Sequence, residues 1–356
     1  MASVQENNHL PIATEMLIGG KKVGGDQRIE VYNPARPDEL VGTIVRGTPE
    51  DVNLAIAAAR DAQPAWGAKS FVERAAILSR ALDRLEEHIE ERTALFVREN
   101  GKTSAEARGE LIGVSARQRL TLEYAQELDV ERQLQAPHGR SFVGYKPFGV
   151  VLSIVPWNTP VGLAFLQIIP ALLAGNSIVL KPPETCPLAL IGSVEMAAEL
   201  LPPSVINVVT GKSPEIGEIL TTHADVAKIG FTGSVAAASK IMANAAQTIK
   251  DVTLELGGND PAILLPDADL GEASMQRMAD SVFRMTGQVC MAIKRIYVPE
   301  TIKDRFFDAF SNVVNRIVVG DGLDPNVTMG PMHTAQALKR SHGLIANAER
   351  HGGKVV

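Results

Sequence analysis

Apolar residues recur at helical spacing through the first third of the chain, and polar residues mark where the helices begin and end. Thr48 followed by Pro49 has the pattern of an N-cap and a first helical residue. Ser70 and Glu73 form a capping-box pattern that opens a second helix. Gly101 follows a third helical segment, where a left-handed C-cap residue is expected. The pattern predicts helices that begin after Thr48 and Ser70 and one that ends before Gly101.

From about Phe142 onward the period changes to short apolar runs rich in β-branched residues. Segments of helical length, such as 187–201 and 236–246, separate these runs. The predicted strands are 150–155, 177–180, 205–209, 227–231, 252–256 and 262–265. Because mostly apolar strands that alternate with helices are typical of parallel sheets, the pattern predicts an α/β fold whose sheet is covered on both faces.

One uncharged stretch, from Gly149 to Leu180, is long enough to cross a bilayer. Prolines and amide side chains interrupt it, and an isolated span in lipid would leave the broken backbone without hydrogen-bond partners. A second hydrophobic span that could help is not apparent in the sequence. The stretch therefore predicts a strand, a loop, a helix and a strand buried in the sheet, with no membrane association.

The composition of the chain excludes several classes of protein. The chain has 356 residues, of which 45% are apolar and 21% charged, and a formal net charge of −6. That length allows about two domains with conventional packed cores. The apolar fraction excludes a disordered protein, and interspersed acids and bases leave no basic patch for nucleic acid.

The numbers and positions of the cysteines and histidines help to predict the cellular compartment and whether the protein has a metal site. Two cysteines, Cys186 and Cys290, are too few for a disulfide scaffold, and the first residues lack the basic and apolar regions of a signal peptide. The seven histidines show no metal-ligand spacing. We therefore expect a cytoplasmic protein without a metal site.

Two predicted strand ends are candidates for binding a nucleotide. Gly233 and Ser234 lie where a strand runs into a helix, and a helix N-terminus favours phosphate. Lys181 and Glu184 follow another strand and could donate to and accept from ribose hydroxyls. Each pair also has a structural alternative, an ordinary turn or a solvated ion pair. A P-loop is excluded at 210–213, since that motif needs glycine where the chain has isoleucine.

Three further residues could carry chemistry. Glu255 lies at an apolar strand end, where we expect burial to raise its pKa and suit it to act as a general base. Cys290 follows a glycine turn, and Asn158 is held between two prolines, where a fixed amide could stabilise an oxyanion. Taken singly, the cysteine could be a small buried apolar residue, Asn158 a turn former and Glu255 a backbone hydrogen-bonding partner.

Taken together and in this order, the motifs resemble those of the NAD(P)-dependent aldehyde dehydrogenase superfamily. The matching stretches are Pro147-Phe148-Gly149-Val150, Pro156-Trp157-Asn158, Gly175-Asn176, Lys181-Pro182-Pro183-Glu184, Phe231-Thr232-Gly233-Ser234, Glu255-Leu256-Gly257-Gly258 and Gly287-Gln288-Val289-Cys290. The helical first third with Glu99-Asn100-Gly101-Lys102 agrees as well. Seven motifs in the family's order make the resemblance specific.

The resemblance implies a mechanism. Cys290 would attack the aldehyde as a thiolate, and Asn158 with the backbone N–H of Cys290 would stabilise the resulting oxyanion. Hydride transfer to the nicotinamide would leave a thioester, which water activated by Glu255 would hydrolyse to the carboxylic acid. Since relatives that transfer the acyl group to coenzyme A commonly lack this glutamate, Glu255 favours hydrolysis.

The resemblance also implies how the cofactor is held. Lys181 and Glu184 would bind the adenosine ribose, and Gly233 with Ser234 the pyrophosphate. The other implied cofactor-binding residues are Val155, Pro156, Trp157, Pro182, Gly211, Phe231, Leu256 and Gly257. The carboxylate of Glu184 favours NAD because it repels a 2′-phosphate, although NADP stays possible.

The implied domain organisation is a Rossmann-like parallel-sheet cofactor domain and a second α/β catalytic domain, with a small oligomerisation hairpin. The boundaries are 1–127 and 148–256 for the two parts of the cofactor domain, 128–147 for the hairpin and 257–356 for the catalytic domain. A homodimer or homotetramer is implied for the full-length form. The resemblance implies a small aldehyde as substrate. The mostly apolar positions Thr159, Leu163, Leu166 and Met291 favour an uncharged aliphatic or aromatic aldehyde, and Arg284 leaves room for an acidic one.

Departures from the family's pattern occur at four places. Ala238 and Ser213 stand where glycine is usual or frequent, and Met285 where asparagine is frequent. The family's downstream glutamate-x-phenylalanine-glycine-proline segment has no counterpart before Val356, so we expect the catalytic domain to be incomplete in this chain. The alternative to an active enzyme is a non-catalytic cofactor-binding or assembly protein of the same fold.

Overall fold

The computed structural model describes residues 11–128 and 130–355. The strands in this part of the chain are β1 (Ile12–Thr14), β2 (Met16–Ile18), β3 (Lys21–Val23), β4 (Arg28–Asn33), β5 (Arg36–Val45), β6 (Arg132–Ala136), β7 (Gly139–Val143), β8 (Val150–Ile154), β9 (Ser177–Lys181), β10 (Ile206–Val208), β11 (Val226–Thr232), β12 (Asp251–Glu255), β13 (Asp260–Ile263) and β14 (Ile293–Tyr297). The α-helices are α1 (Pro49–Gly67), α2 (Phe71–Arg84), α3 (Ile89–Asn100), α4 (Ser104–Glu123), α5 (Ala125–Leu128), α6 (Pro160–Leu173), α7 (Leu188–Ala198), α8 (Ser213–Thr222), α9 (Val235–Ala246), α10 (Glu272–Phe283), α11 (Lys303–Val314) and α12 (Ala335–Arg350).

A seven-stranded sheet organises the fold, in the order β12-β11-β8-β9-β10-β2-β3. Its first five strands are parallel, while β2 joins β10 and β3 joins β2 in antiparallel register. The predicted α/β class with a parallel sheet is confirmed. The antiparallel pair at one edge comes from the beginning of the chain, so early and late segments share one sheet.

Helices cover both faces of this sheet. On one face α6 and α7 pack with α2, and their core includes Phe165, Ile168 and Ile191. On the other face α1, α8 and α9 form a second core that includes Ile56 and Ile216. The central strands β8, β9 and β10 are almost wholly buried between these layers. This explains why they appear in the sequence as continuous apolar runs.

The helix boundaries follow the predicted caps. The Thr48 hydroxyl accepts from the backbone N–H of Asp51 at 3.3 Å, and the Ser70 hydroxyl accepts from that of Glu73 at 3.2 Å. Gly101 ends α3 with φ of +91°, a conformation that costs glycine little. The three predicted helix boundaries are confirmed.

The sequence pattern missed the strands of the first 45 residues. There β1, β5 and β4 form a separate three-stranded sheet, in which β4 and β5 are antiparallel. Their exposure pattern is irregular rather than alternating, so the period-2 pattern of a half-buried strand is weak. Further along, β6 and β7 form an antiparallel hairpin within 128–147.

The segment after the main sheet forms a smaller unit. The strand predicted at 262–265 is observed as β13, which pairs with β14 in parallel and not with the seven-stranded sheet. Helices α10 and α11 contribute Met275 and Phe306 to a separate core beside this pair. The uncharged stretch 149–180 forms β8, α6 and β9, as predicted. Within the described residues, no helix is long and apolar enough to cross a membrane.

Candidate active site

The predicted site residues lie together at the end of the seven-stranded sheet where its parallel strands have their carboxyl ends. Asn158 follows β8, Lys181 ends β9, Gly211 follows β10, Ser234 follows β11 and Glu255 ends β12. Because these five strands are parallel, their carboxyl ends lie side by side, where open α/β sheets bind ligands. Segments far apart in sequence are thereby brought together.

A cleft of about 640 Å³ lies between α8 and α9 at this end of the sheet. Ile154 and Phe231 come from strand ends, Lys181 and Ser213 line it beside α8, and Lys240 lines it from α9. A cleft lined by apolar side chains and a few polar groups is typical of small-molecule sites. The cleft has the position and character to hold a nucleotide.

Lys181 and Ser213, which line this cleft, both contact Glu184. The Lys181 Nζ atom is 3.5 Å from Glu184 Oε1, and the same oxygen accepts from the Ser213 backbone N–H and hydroxyl at 2.7 Å each. Burial by itself would raise the pKa of Glu184, but the Lys181 ammonium and the Ser213 hydrogen bonds outweigh it and lower that pKa. Glu184 is therefore ionised at neutral pH and can accept from a hydroxyl.

The turn between β11 and α9 has the predicted strand-to-helix form. Ser234 is the N-cap of α9, and its hydroxyl accepts from the Ala237 backbone N–H at 3.3 Å. The Gly233 N–H donates to the Glu255 carbonyl oxygen at 3.0 Å. The Gly233 amide is thus already engaged, which leaves the helix start from Ser234 onward to bind a phosphate.

Asn158 lies directly against the loop that carries Cys290. Its Nδ2 donates to the carbonyl oxygen of Gln288 at 2.9 Å, and its Oδ1 accepts from the Thr159 backbone N–H at 2.9 Å. These two bonds fix the plane of the amide and leave its second N–H without a partner among the described residues. Cys290 is exposed, so the alternative of a small buried apolar residue is wrong for it.

The backbone before Cys290 is strained. Met285 and Thr286 have φ of +50° and +60°, and Gly287 follows with φ of +71°. Two consecutive non-glycine residues in the left-handed region are uncommon and are found where surrounding contacts enforce them. Met285 stands where the family frequently has asparagine, and it adopts the left-handed region at a higher energetic cost than asparagine does.

Several hydrogen bonds hold this strained turn. The Thr286 hydroxyl donates to the Gly330 carbonyl oxygen at 2.8 Å, and the Gln288 side chain accepts from the His333 backbone N–H at 3.1 Å. After the cysteine, Lys294 Nζ donates to the Cys290 carbonyl oxygen at 2.7 Å. The loop carrying the cysteine is thereby anchored on both sides.

Glu255 does not have the predicted environment. The sequence predicts a buried carboxylate, but the side chain is exposed. β12 is the edge strand of the sheet, and Val252 and Leu254 pack against the core while Glu255 points to the other face. Successive side chains of a strand point to opposite faces of the sheet, so this edge strand buries only alternate residues. Glu255 lies between two leucines that face the core and therefore points away from that core. The next residues do approach the cysteine, since a Cβ on Gly258 would lie 3.0 Å from the Cys290 carbonyl oxygen.

Four of the five residues predicted to line the substrate site fall into two separate clefts, and Thr159 lines neither of them. Leu163, Leu166 and Glu255 line an apolar groove of about 480 Å³ between α6 and the β12 edge. Arg284 and Met291 line another cleft, of about 580 Å³. The structure therefore does not bring all of these residues to one tunnel.

Sequence reasoning missed a buried polar cluster behind the Asn158 loop. His333 stacks on Trp157 with ring centroids 4.2 Å apart, so Trp157 faces this cluster. The His333 Nδ1 donates to the Asn100 carbonyl oxygen at 2.9 Å, and Nε2 accepts from the Thr185 hydroxyl at 2.7 Å. Asn100 Nδ2 in turn donates to the Trp157 carbonyl oxygen at 2.8 Å. An isolated histidine with no ligand spacing gives no pattern from which this packing could be predicted.

This cluster predicts a pH dependence of stability. Burial lowers the pKa of His333 to about 4 from an ordinary value of 6.5. The unfolded chain then binds more protons than the folded one, so the contribution of His333 is fully present above pH 6.5 and is lost as the pH falls toward 4. Relative to His333→Gln, we expect wild type to lose about 3 kcal/mol of unfolding free energy over that range. Denaturant unfolding of both proteins at several pH values measures this, and parallel pH curves would contradict it.

The chain matches one protein-family model over most of its length, and it is similar in sequence to known enzymes. The model of the aldehyde dehydrogenase family matches residues 22–356. The mitochondrial succinate-semialdehyde dehydrogenase of Arabidopsis thaliana is 38% identical over 97% of this chain and 66% of its own length. The NADP⁺-dependent succinate-semialdehyde dehydrogenase GabD of Escherichia coli is 36% identical over 96% of this chain and 71% of its own.

The fold is shared with solved structures as well. The crystal structure of lactaldehyde dehydrogenase from Escherichia coli superposes with a TM-score of 0.93 at 35% identity. It covers 98% of this chain, which spans 73% of that structure. The chain thus spans between 66% and 73% of the length of these relatives. The family model, the relatives and the shared fold agree, and the chain belongs to the aldehyde dehydrogenase family.

Proposed function

We propose that this site oxidises an aldehyde to a carboxylic acid with a nicotinamide cofactor, through a thioester on Cys290. The observation that carries the proposal is the bond from Asn158 to Gln288, which places a fixed amide against the loop of an exposed cysteine. A nucleophile beside a preorganised donor, at the same sheet edge as a nucleotide cleft, is what this chemistry needs.

Cys290, Asn158 and Glu255 each have a separate role in the proposed reaction. The Cys290 sulfur forms a bond to the aldehyde carbon, and the oxygen that becomes negative accepts from the second N–H of Asn158 and from the Cys290 backbone. A nicotinamide cofactor held in the cleft beside Lys181 would supply the acceptor for the hydride that leaves this carbon. Glu255 accepts a proton from water, whose oxygen attacks the thioester carbon and releases the acid and the Cys290 thiolate.

The residues around the nucleotide cleft fit such a cofactor. The ionised Glu184 accepts from ribose hydroxyls, the Lys181 ammonium donates to them, and the start of α9 provides N–H groups for the pyrophosphate. The remaining cofactor-binding assignments, Val155, Pro156, Trp157, Pro182, Gly211, Phe231, Leu256 and Gly257, are part of this proposal. The relative GabD is named for NADP⁺, so the proposal keeps NADP beside NAD as a cofactor of this chain.

Replacing Glu184 should shift the cofactor preference. Removing the carboxylate removes its repulsion of a 2′-phosphate and its bonds to the ribose of NAD. We expect Glu184→Ala to change the ratio of kcat/KM for NAD over NADP at least about tenfold toward NADP, equivalent to about 1.4 kcal/mol. Glu218→Gln, an acid on the same cleft, is the matched control and should leave the ratio within twofold. A ratio unchanged by Glu184→Ala would contradict the ribose assignment.

The substrate proposed is an aldehyde that carries a second polar or acidic group. Two relatives are named for succinate semialdehyde and one solved neighbour for lactaldehyde. In this chain Arg284 lines the cleft beside Val289 and Met291, the neighbours of Cys290. An arginine there provides a bidentate partner for a carboxylate.

A panel of aldehydes tests the proposal on the 356-residue polypeptide. Succinate semialdehyde, lactaldehyde and the uncharged butyraldehyde are each assayed with NAD and NADP by the fluorescence of the reduced cofactor. We expect kcat/KM for succinate semialdehyde to exceed that for butyraldehyde about tenfold or more, in line with one charge-assisted pair. Cofactor binding without any turnover would instead favour the non-catalytic alternative.

A further inference from the structure

Three charged side chains at the N-terminal end of α4 contact both loops of the proposed active site. They are Lys102, just before the N-cap, and Glu106 and Glu110 within the helix, hereafter the α4 row, and they are four residues apart. Glu106 and Glu110 are spaced by four and lie on the same side of the helix, and Lys102 joins this side through its ion pair with Glu110. None of them carries a role in the chemistry proposed above.

The first part of the row holds the Asn158 turn. Lys102 and Glu110 form a buried ion pair, with Nζ and Oε2 2.6 Å apart and side-chain exposures of 1% and 8%. Lys102 Nζ also donates to the Asn158 carbonyl oxygen at 2.9 Å, and Glu110 Oε1 accepts from the Gly162 N–H at 2.9 Å. Gly162 lies in the first turn of α6, where backbone N–H groups have no acceptor within the helix. The pair therefore fixes both ends of the turn that presents the Asn158 amide.

The middle of the row holds the turn before Cys290. Glu106 closes the capping box of α4, accepting at 3.0 Å from both the Thr103 N–H and its hydroxyl through Oε2. Its other oxygen, Oε1, accepts from the backbone N–H of Met285 at 2.7 Å. Met285 is the first residue of the strained left-handed turn, so this bond holds the turn at its start.

We propose that the α4 row positions the Asn158 amide relative to Cys290, by tying both loops to one helix. This inference rests on the proposed function of the site. The row consists of positioning residues, because its polar atoms bond to loop backbone and to each other. A shift of the two loops against each other would misplace the oxyanion from its donor, and small misplacements of that kind cost large factors in rate.

The experiment compares two substitutions of Glu106 that both weaken the capping box with Thr103, although only one of them keeps an acceptor for the Met285 N–H. Glu106→Gln keeps an acceptor for the Met285 N–H, whereas Glu106→Ala removes it. We expect Glu106→Ala to lower kcat about tenfold or more per Cys290 thiol, with the aldehyde KM and the Kd for NAD within twofold of wild type. Glu106→Gln should restore kcat to within about threefold. Arg108→Gln, an exposed position on the same helix, is the control and should match wild type.

The other end of the row is tested in the same way, with the double substitution Lys102→Met and Glu110→Gln. It removes the bond to the Asn158 carbonyl without leaving an unpaired buried charge, and it keeps an acceptor for Gly162. We expect a tenfold or larger fall in kcat with KM within twofold. Equal kcat for wild type, Glu106→Ala and this double variant, each measured well below its melting temperature, would overturn the proposal.

A second readout separates failure of this inference from failure of the proposed function. Alkylation of Cys290 by iodoacetamide requires neither aldehyde nor cofactor, and its rate against pH reports the position and environment of the thiol. We expect Glu106→Ala to change that rate at least threefold and Glu106→Gln to leave it within twofold. Absence of aldehyde oxidation in wild type would refute the proposed function, while identical alkylation profiles in all variants would refute the positioning of the Cys290 loop.

Discussion

Cys290→Ala should abolish aldehyde oxidation, lowering kcat by at least about 10⁴-fold, because the bond that forms the covalent intermediate can no longer be made. The exposed position of Cys290 on an anchored turn is what a nucleophile needs, and replacing an exposed side chain should change stability by less than about 0.5 kcal/mol. Steady-state turnover with succinate semialdehyde, together with the melting temperature, checks both expectations. NAD binding should persist, since the nucleotide cleft lies between α8 and α9.

The second cysteine provides the matched control. Cys186 is fully buried, and its sulfur accepts from the Asn100 side chain at 3.3 Å. Burial raises the pKa of the Cys186 thiol far above its ordinary value, which keeps it protonated and unreactive. Cys186→Ala should lower stability through a small cavity and leave kcat within about threefold. Residual turnover in Cys290→Ala above one hundredth of wild type would show that another group attacks the aldehyde.

The seven-stranded sheet, and the position of the candidate site at the carboxyl ends of its strands, were predictable because the sequence patterns that indicate them are local. Continuous apolar runs at β8 and β9 reflect burial on both faces, and the caps at Thr48 and Ser70 depend on residues three positions away. Parallel strands then bring their carboxyl ends together whatever the intervening sequence. Hence the position of Asn158 at the sheet edge follows from the strand pattern alone.

The parts that could not be predicted depend on contacts distant in sequence. Glu106 appears in the sequence as an ordinary capping-box residue, and its bond to Met285 spans 179 positions. His333 lies 233 positions from the Asn100 carbonyl to which it donates. The exposure of Glu255 depends on β12 being an edge strand, which is a property of the strand order rather than of the strand itself. Such features have no period and no local motif.

The departures at Ser213 and Met285 have different structural consequences. Ser213 adds a hydroxyl bond to Glu184 at 2.7 Å, so a side chain in place of the family's glycine strengthens the hold on the carboxylate proposed to bind ribose. Met285 instead adopts a left-handed conformation at a cost of about 1–2 kcal/mol. Its side chain is buried with Val289 and Ala292, and that apolar packing offsets part of the strain. The turn before Cys290 therefore relies on packing and on Glu106, at a position where asparagine is frequent in the family.

Glu255→Gln should separate the two halves of the proposed reaction. The substitution keeps the shape of the side chain and removes its ability to accept a proton from water, so hydrolysis of the thioester should slow by about 10²–10³-fold. Formation of the thioester does not need this carboxylate. We expect a burst of about one reduced cofactor per Cys290 thiol, followed by slow turnover, and an acyl adduct on Cys290 in the intact mass spectrum. Rapid-mixing fluorescence and mass spectrometry measure these directly.

Because Glu255 is exposed, the Glu255→Gln variant should fold as wild type does, and a change in its turnover then reports on the chemistry. Asp251→Asn, at the other end of the same edge strand, is the matched control, since Asp251 pairs with Lys228 and lies away from the site. It should leave turnover within twofold. Hydroxylamine attacks a thioester without a general base, so it should restore turnover of Glu255→Gln and have little effect on Cys290→Ala. A variant that shows neither burst nor adduct would place the need for Glu255 before thioester formation and refute its assignment to water activation.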